Sequence, residues 1–189
     1  MMLNIRIHGR GGQGVVTASK ILGMAAYLAG KQVRTFPLYG AERRGAPVTA
    51  FIRIDEAEIH LKSLIYHPDC IMVIDSRLPY VIHPFQGLKS GGTVILNSRL
   101  HPQEARAKLG LKNIEGIAVV KATDIAEEVL GTPITNIVML GAFPKMYGFI
   151  SLDSIKQGIR TVFGEGERGD RQIQAAEIGY QNTEIAHNS

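Results

Sequence analysis

A glycine-rich segment close to the first residue has the composition and spacing of a phosphate-binding loop. Four of its six residues are glycine, in the order Gly9, Arg10, Gly11, Gly12, Gln13, Gly14. The spacing Gly9-x-Gly11-x-x-Gly14 fits the dinucleotide fingerprint, in which glycines allow a tight turn and the close approach of a phosphate. The same glycines could also serve only to turn a strand into a helix packed on it. The loop is therefore predicted either to bind a phosphorylated ligand or only to pack.

The segments on either side of this loop predict how it is held. The alternating apolar run from Ile5 to His8 predicts a strand before the loop, and apolar residues at helical spacing from Val15 to Leu28 predict a helix after it, with Gly30 as a cap. The first N–H groups of a helix have no partners within the helix and lie at the positive end of its dipole. A phosphate binds well at such a position.

Two adjacent arginines are a second candidate for phosphate chemistry. Arg43 and Arg44 lie in a polar segment between glycines, and the alternation over residues 48–54 predicts a strand after them. If that strand and the first strand share a sheet, the two guanidinium groups come near the glycine loop, where they suit phosphate oxygens. Alternatively, Arg43 and Arg44 pair with Glu42 or with a neighbouring subunit.

Three further residues have both a functional and a structural interpretation. Binding of NAD would need an acid about 20 residues beyond the glycines, and none is present. Arg34 lies in that region and could meet a 2′-phosphate, or it is a solvated arginine on a strand. Asp75 ends an apolar run and is either at the ligand-binding edge of a sheet or a helix cap. His8 is expected to be a strand residue with a satisfied ring.

The order of segments predicts an α/β fold with a Rossmann-like, mostly parallel sheet, helices on both faces and a helical C-terminal third. Further strands are predicted at 32–37, 70–75, 93–97 and 117–120, and helices at 101–109 and 123–130. Pro144 predicts a kink or break in an apolar helix over 134–147, and Asp170 is expected to cap a last helix over 171–179 after a flexible break at 164–169. Residues 1–180 are expected to form one domain, followed by a flexible tail over 181–189.

Composition excludes several classes of protein. The 189 residues carry a net charge of +4, but the charges are scattered and aromatic residues are only 6%, so no nucleic-acid partner is predicted. No apolar segment is long enough for a membrane span or signal peptide, so the chain is expected in the cytoplasm. The histidine spacing predicts no metal site, and the single cysteine, Cys70, lies in an apolar run. One cysteine cannot by itself hold an iron–sulfur cluster.

Several long motifs together resemble the gamma subunit of 2-oxoacid:ferredoxin oxidoreductases of the pyruvate/ketoisovalerate type. The likeness extends through nearly the whole chain, and the residues that carry it are 9–18, 36–48, 136–142 and 175–180. The resemblance implies an accessory subunit of an enzyme that converts a 2-oxoacid, CoA and oxidised ferredoxin to acyl-CoA, CO₂ and reduced ferredoxin. Thiamine diphosphate and iron–sulfur clusters would then lie on partner alpha, beta and delta subunits, and ferredoxin would be an indirect partner.

The resemblance also implies a role for this chain within such a complex. In the family, the gamma domain is associated with CoA binding and with assembly, so the glycine loop, Arg43 and Arg44 are expected to contact CoA phosphates or partner carboxylates. No catalytic residue is expected here, and the isolated chain is expected to be inactive and to form a homodimer through apolar surface meant for partners. Two alternatives remain, namely a free-standing NADP-binding oxidoreductase and a purely structural interaction subunit.

Overall fold

The computed structural model describes residues 1–38 and 45–188, which form one mixed sheet of seven strands flanked by helices. The strands are β1 (Leu3–Arg10), β2 (Gln32–Leu38), β3 (Pro47–Asp55), β4 (Cys70–Val73), β5 (Thr93–Asn97), β6 (Gly116–Val120) and β7 (Glu184–His187). The helices are α1 (Val15–Leu28), α2 (Pro102–Lys108), α3 (Ala122–Leu130), α4 (Asn136–Met146), α5 (Leu152–Phe163) and α6 (Glu167–Gln181). A short 3₁₀ turn, Leu78–Tyr80, follows β4.

The strand order is β2-β3-β1-β4-β5-β6-β7, so β1 lies inside the sheet between β3 and β4. β1, β4, β5 and β6 are parallel neighbours, whereas β3 is antiparallel to both β1 and β2, and β7 is antiparallel to β6. After β1 the chain passes through α1 to β2 and β3 on one side of β1, and it later enters β4 on the other side. In such open sheets, ligands gather beside the carboxyl ends of the strands at the point where the direction of winding changes.

The two faces of the sheet are covered differently. The larger hydrophobic core lies between one face and α1, α3, α4, α5 and α6, and it includes the buried side chains of Ile5, Ile7 and Phe143. The smaller core on the other face contains Ile71 and Val73 and is covered by α2, the 3₁₀ turn and loops. The alternation of β1 follows from this arrangement, since Ile5 and Ile7 point to the helical face and their neighbours to the other.

The predicted fold class is confirmed, with the helices distributed unevenly between the faces. The strand predicted at 93–97 has those bounds, β3 extends the one predicted at 48–54 by a residue at each end, and Gly131 ends α3 in the left-handed region at φ 70°. Ser151 caps α5 by accepting a hydrogen bond from the Ser154 N–H at 3.0 Å. Where the local sequence pattern was strong, the predicted strand or helix was therefore correct.

Three expectations in the last third were wrong. α4 continues through Pro144 to Met146, so the break expected near Phe143 is absent; Pro144 lies in the last turn, where few residues remain to be disturbed. α6 begins at Glu167 rather than at 171, and Asp170 lies in its first turn, paired with Arg160. Residues 184–187 of the expected tail form β7, because β6 would otherwise expose an unpaired edge.

Candidate glycine-loop site

The glycine loop connects β1 to α1 at the carboxyl edge of the sheet, as predicted. Gly9 and Arg10 are the last residues of β1, while Gly12 and Gly14 have φ values of 91° and 73°. Side chains other than glycine rarely adopt this left-handed region, so the turn depends on both residues. Gly9 is required for a different reason: a Cβ atom there would lie 2.6 Å from Val15 Cγ2.

Gln13 holds the loop closed through both ends of its amide. Its Oε1 accepts the backbone N–H of Arg10 at 2.7 Å, and its Nε2 donates to Oδ2 of Asp75 at 2.6 Å. Asp75 is buried, and its other oxygen accepts the backbone N–H of Arg77 at 2.9 Å. Arg10 Nε lies 3.2 Å from the same Asp75 Oδ2, as an ion pair without hydrogen-bond geometry. Both interpretations of Asp75 therefore apply. It lies at the carboxyl edge of the sheet, where ligands bind, and its side chain also caps the turn after β4.

The amino end of α4 packs directly against this loop. Asn136, the first residue of α4, donates from Nδ2 to the carbonyl oxygen of Gly14 at 3.1 Å. A Cβ atom on Gly14 would lie 2.3 Å from that Nδ2, so Gly14 is needed for close packing as well as for its φ. Thr135 donates to the carbonyl oxygen of Ile74 at 3.0 Å and ties α4 to the end of β4. Sequence reasoning missed Asn136, which lies 122 positions from Gly14.

The amino end of α1 has the features of an anion-binding position. Among the described residues, no side chain caps it, and its first turn contains no acid. Gly12, before it, is exposed, and a Cβ there would meet nothing within 4 Å. The first N–H groups of α1 are therefore left for solvent or for a ligand, at the positive end of the helix dipole.

The segment that follows the two arginines is bound to the loop. The backbone N–H of Gly11 donates to Ala46 O at 2.8 Å, and that of Gly45 donates to Gly11 O at 3.2 Å. Arg10 Nη1 also donates to Gly45 O at 3.2 Å. Arg43 and Arg44 themselves lie outside the described residues. The condition set for their approach to the loop, that β1 and β3 share a sheet, is met, since the two strands pair in antiparallel orientation.

A polar cleft of about 350 Å³ continues the same edge beyond the glycine loop. It is lined by Ser76, Asn97, Ser98, Arg99, Lys121, Thr123 and Asp124. Arg99 pairs with Asp124 through Nη2 at 2.6 Å, and the buried Asn97 donates to Ile74 O at 2.9 Å. These contacts keep the cleft polar and connect it with the glycine loop through residues 74–76.

Arg34 does not reach this site. It pairs with Arg53 in register, and Arg53 pairs with Asn4, so Arg34 is level with the start of β1. The glycine loop follows Arg10, about 20 Å farther along the strand at about 3.3 Å per residue. Arg34 Nη1 instead donates to the carbonyl oxygens of His60 at 3.2 Å and Leu61 at 3.3 Å. Of its two interpretations, an arginine on a strand fits the structure, and a 2′-phosphate ligand at the loop does not.

His8 and Cys70 are buried strand residues. His8 lies within hydrogen-bond distance of Thr49 Oγ1 through Nδ1, at 3.3 Å, and burial together with Arg6 lowers its pKa to about 4. Burial raises the pKa of the Cys70 thiol to about 12, so it stays protonated and unreactive. Cys70 lies near the amino edge of the sheet, beside a cavity of about 380 Å³ that is remote from the glycine loop.

Neither a metal-binding cluster nor a membrane-spanning helix is found in the described part of the chain. Within residues 1–38 and 45–188, no three His, Cys, Asp or Glu side chains are grouped so that they could hold a metal ion. In the same residues, no helix is long and apolar enough to cross a membrane.

The fold and the loop together define a Rossmann-like α/β protein with an open helix terminus at its central switch point. Residues 4–182 match the family described as pyruvate ferredoxin/flavodoxin oxidoreductase, and the chain belongs to that family. It is 47% identical over 184 residues to the pyruvate/ketoisovalerate oxidoreductases common subunit gamma of Pyrococcus furiosus, covering 97% of this chain and 98% of the relative. The chain is thus a gamma-type subunit of a ketoacid:ferredoxin oxidoreductase complex.

Solved structures agree with this assignment. The crystal structure of pyruvate oxidoreductase subunit PORC from Thermotoga maritima superposes with a TM-score of 0.83 at 37% identity, covering 98% of this chain and 99% of that one. A 2-oxoglutarate:ferredoxin oxidoreductase from Magnetococcus marinus, with 2-oxoglutarate, coenzyme A and succinyl-CoA bound, gives a TM-score of 0.76 at 20% identity. This chain covers 30% of that longer chain, and at such identity the likeness shows the fold alone.

Proposed function

We propose that this gamma-type subunit contacts CoA through its glycine loop within a complex that converts a 2-oxoacid, CoA and oxidised ferredoxin to acyl-CoA, CO₂ and reduced ferredoxin. Thiamine diphosphate and iron–sulfur clusters belong to partner alpha, beta and delta subunits, and ferredoxin meets those subunits. When bound to its partner subunit, thiamine diphosphate supplies the carbanion chemistry of decarboxylation. The isolated chain is inactive and self-associates.

One observation carries the CoA part of this proposal. The chain immediately after Arg43 and Arg44 is hydrogen-bonded to Gly11 through Gly45 and Ala46. The residues that follow the arginine pair in the sequence are therefore held at the loop whose helix terminus has no side-chain cap among the described residues. Two guanidinium groups and a helix amino end are complementary to a pyrophosphate.

The chain's own residues would bind and orient CoA and would take no part in proton transfer. Gly12 allows a phosphate to approach the backbone, and the Gln13–Asp75 hydrogen bond keeps the loop in the conformation that presents its N–H groups. Arg10 neutralises Asp75, so that the buried carboxylate does not repel an anion nearby. The single cysteine is consistent with clusters carried by partners.

CoA affinity of the assembled complex tests the arginine contribution. The double variant Arg43→Ala/Arg44→Ala should weaken CoA binding about tenfold or more, because charge-assisted hydrogen bonds to phosphate contribute about 1.5–3 kcal/mol each. Lys112→Ala is a matched control, since Lys112 precedes β6 and so lies at the opposite edge of the sheet. Unchanged CoA affinity in the double variant would favour the purely structural subunit.

The free-standing NADP-binding oxidoreductase is the second alternative, and the position of Arg34 counts against it. Calorimetric titration of the purified chain with NADPH separates the two. Saturable binding with micromolar affinity would support the dehydrogenase, whereas the proposed function predicts no such binding.

A further inference from the structure

One part of the sheet is covered by loops and not by a helix. On the face opposite α1, three rows of paired residues cross β2, β3 and β1. The rows are Arg34–Arg53–Asn4, Phe36–Phe51–Arg6 and Leu38–Thr49–His8. Residues 59–68 and 76–92 lie on or beside these rows. We call these three rows and two loops the loop face.

Three arginines attach the loops to the strands. Arg53 is buried and points its guanidinium group at the carbonyl oxygens of Leu61 and Leu64, at 3.4 and 3.5 Å. Arg6 donates to the carbonyl oxygens of Pro84, at 2.9 Å, and of Gln86. Arg34, as described above, binds the segment at His60 and Leu61. The acceptors of these arginines in the described structure are neutral oxygens, which do not compensate a positive charge.

No carboxylate in the described part of the chain balances this charge. None of the ion pairs found there, within 4.0 Å, includes Arg6, Arg34 or Arg53. Residues 59–68 and 76–92 contain no Asp or Glu but carry Lys62, Arg77 and Lys89. At the loop ends, Asp69 is paired with Lys89, and the exposed Glu58 lies 3.9 Å from His60.

Burial itself disfavours the charged form of two of these arginines. Burial lowers the pKa of Arg53, with a further contribution from the positive charge of Arg34, and burial lowers the pKa of Arg6. The Nε atoms of Arg6 and Arg53 and the Nε2 atom of His8 are buried without a hydrogen-bond partner in the described structure. A nearby negative charge would stabilise this whole group.

The loop face also exposes large apolar side chains. Leu38, Leu61 and Tyr66 are between 47% and 67% exposed. Tyrosine and exposed aliphatic side chains beside arginine are the composition of a protein–protein interface, where aromatic residues and Arg are enriched. A nucleic acid would need basic residues without this aliphatic surface.

From these observations we propose that the loop face docks a partner subunit of the oxidoreductase complex through an acidic surface with apolar residues beside it. The partner's carboxylates balance Arg34 and Lys62, while its apolar side chains cover Leu61 and Tyr66. This inference rests on the proposed function, since it takes the occupant to be another subunit of the complex. It adds the surface used and the charge of the partner.

The test compares two double variants of the full chain, co-expressed with its partner subunits and recovered anaerobically. Lys62→Glu/Tyr66→Ser changes the loop face, and Lys20→Glu/Tyr27→Ser makes the same changes on α1, on the opposite face. Tyr66 and Tyr27 are both 67% exposed, and both lysines are exposed, so the pairs are matched. The loop-face variant should weaken partner recovery about tenfold or more, and the wild-type complex should dissociate as salt is raised.

Each outcome decides a different point. Equal recovery with both variants, or loss only with the α1 variant, would overturn the loop-face inference while leaving the subunit assignment intact. Recovery of nucleic acid by the wild type, lost in the loop-face variant, would overturn the choice of a protein partner. Recovery of no partner even by the wild type would contradict the proposed function itself, and circular dichroism of each variant checks that it is folded.

Discussion

At the scale of single residues, the glycines of the loop have different tasks. Gly9 and Gly14 leave room for Val15 and Asn136, whereas Gly12 has no atom near the position of a Cβ. A packing role therefore explains Gly9 and Gly14 without any ligand. Gly12 is the glycine whose open surroundings fit the approach of a phosphate.

Substitution of Gly14 should cost more stability than substitution of Gly12. Gly14→Ala combines an unfavourable φ with a clash against Asn136, so we expect the free energy of unfolding to fall by about 3 kcal/mol. Gly12→Ala has only the backbone strain, about 1 kcal/mol. Urea unfolding of both variants measures the difference, and equal losses would contradict the packing of Gly14 against α4.

The buried His8 should make stability depend on pH. Its pKa is about 4 in the folded chain against 6.5 as the ordinary value, so the unfolded state binds the proton first as pH falls. The stability is therefore complete above pH 6.5 and is lost as pH decreases toward 4, by about 2 kcal/mol at pH 4.5. His8→Gln should remove this part of the pH dependence, as measured by urea unfolding at pH 7 and 4.5.

His67→Gln is the control for this experiment, because His67 is exposed. Its unfolding free energy should follow that of the wild type at both pH values. If the His8→Gln and wild-type curves run parallel instead, His8 titrates normally and its burial is not as described.

At the scale of elements, α4 and α6 approach each other so closely that their contact requires glycine on both helices. A Cβ on Gly141 would lie 2.0 Å from Ala176 O, and one on Gly179 would lie 2.3 Å from Val138 O. Because both obstacles are backbone atoms, rotation of a side chain cannot relieve them. The crossing fixes α4, whose first residue contacts the glycine loop.

Gly141→Ala should therefore separate the two helices and lower the free energy of unfolding by about 3 kcal/mol. Gly148→Ala is the matched control, because a Cβ there meets nothing within 4 Å and its stability should change by less than about 0.5 kcal/mol. Thermal unfolding followed by circular dichroism compares them. If Gly141→Ala leaves the free energy of unfolding unchanged, the two helices do not pack at this distance.

β7 closes the edge of the sheet next to β6. Besides the ladder between the strands, Asn188 donates its backbone N–H to Glu115 O at 2.8 Å and accepts from Arg106 Nη2 at 2.8 Å. Ending the chain at Thr183 should lower stability by about 2 kcal/mol and promote association through the exposed β6 edge. Removal of Ser189 alone is the control. Calorimetry measures the stability of each truncated chain, and size-exclusion chromatography measures its association. A truncation at Thr183 that changed neither property would contradict this role of β7.

Local patterns were sufficient for most elements but not for those that depend on distant partners. The loop, α1 and β5 follow from glycine spacing and apolar periodicity within a few residues. β7 has only one clear alternation, and its pairing with β6 is some 70 positions away, so the segment was expected to be loose. The early start of α6 was missed because its first turn is polar, contains Gly169 and follows Gly164 and Gly166.

The same limit applies to the candidate site. Asp75 was recognisable from its place at the end of a strand, but its hydrogen bond with Gln13 depends on the strand order. Nothing local marks Asn136 as a neighbour of Gly14. The two interpretations of Arg34 could be separated only once the pairing of β2 with β3 placed it level with the start of β1.

At the scale of the whole molecule, the sheet separates two functional surfaces. Its carboxyl edge presents the glycine loop and the polar cleft, while the face opposite α1 presents arginines and apolar side chains without a described acid to balance them. Five helices enclose the remaining face and account for most of the core. Under the proposed function, the first surface binds CoA, the second contacts a partner subunit, and the chemistry takes place on other subunits.

The most direct test of this account is an anaerobic affinity purification of the tagged chain from its native cell, with mass spectrometry and an absorption spectrum of the product. We predict recovery of cysteine-rich and thiamine-binding subunits together with the brown colour and broad visible absorption of iron–sulfur clusters. Recovery of the chain alone and colourless, from cells that contain those subunits, would contradict its role as a subunit of the oxidoreductase.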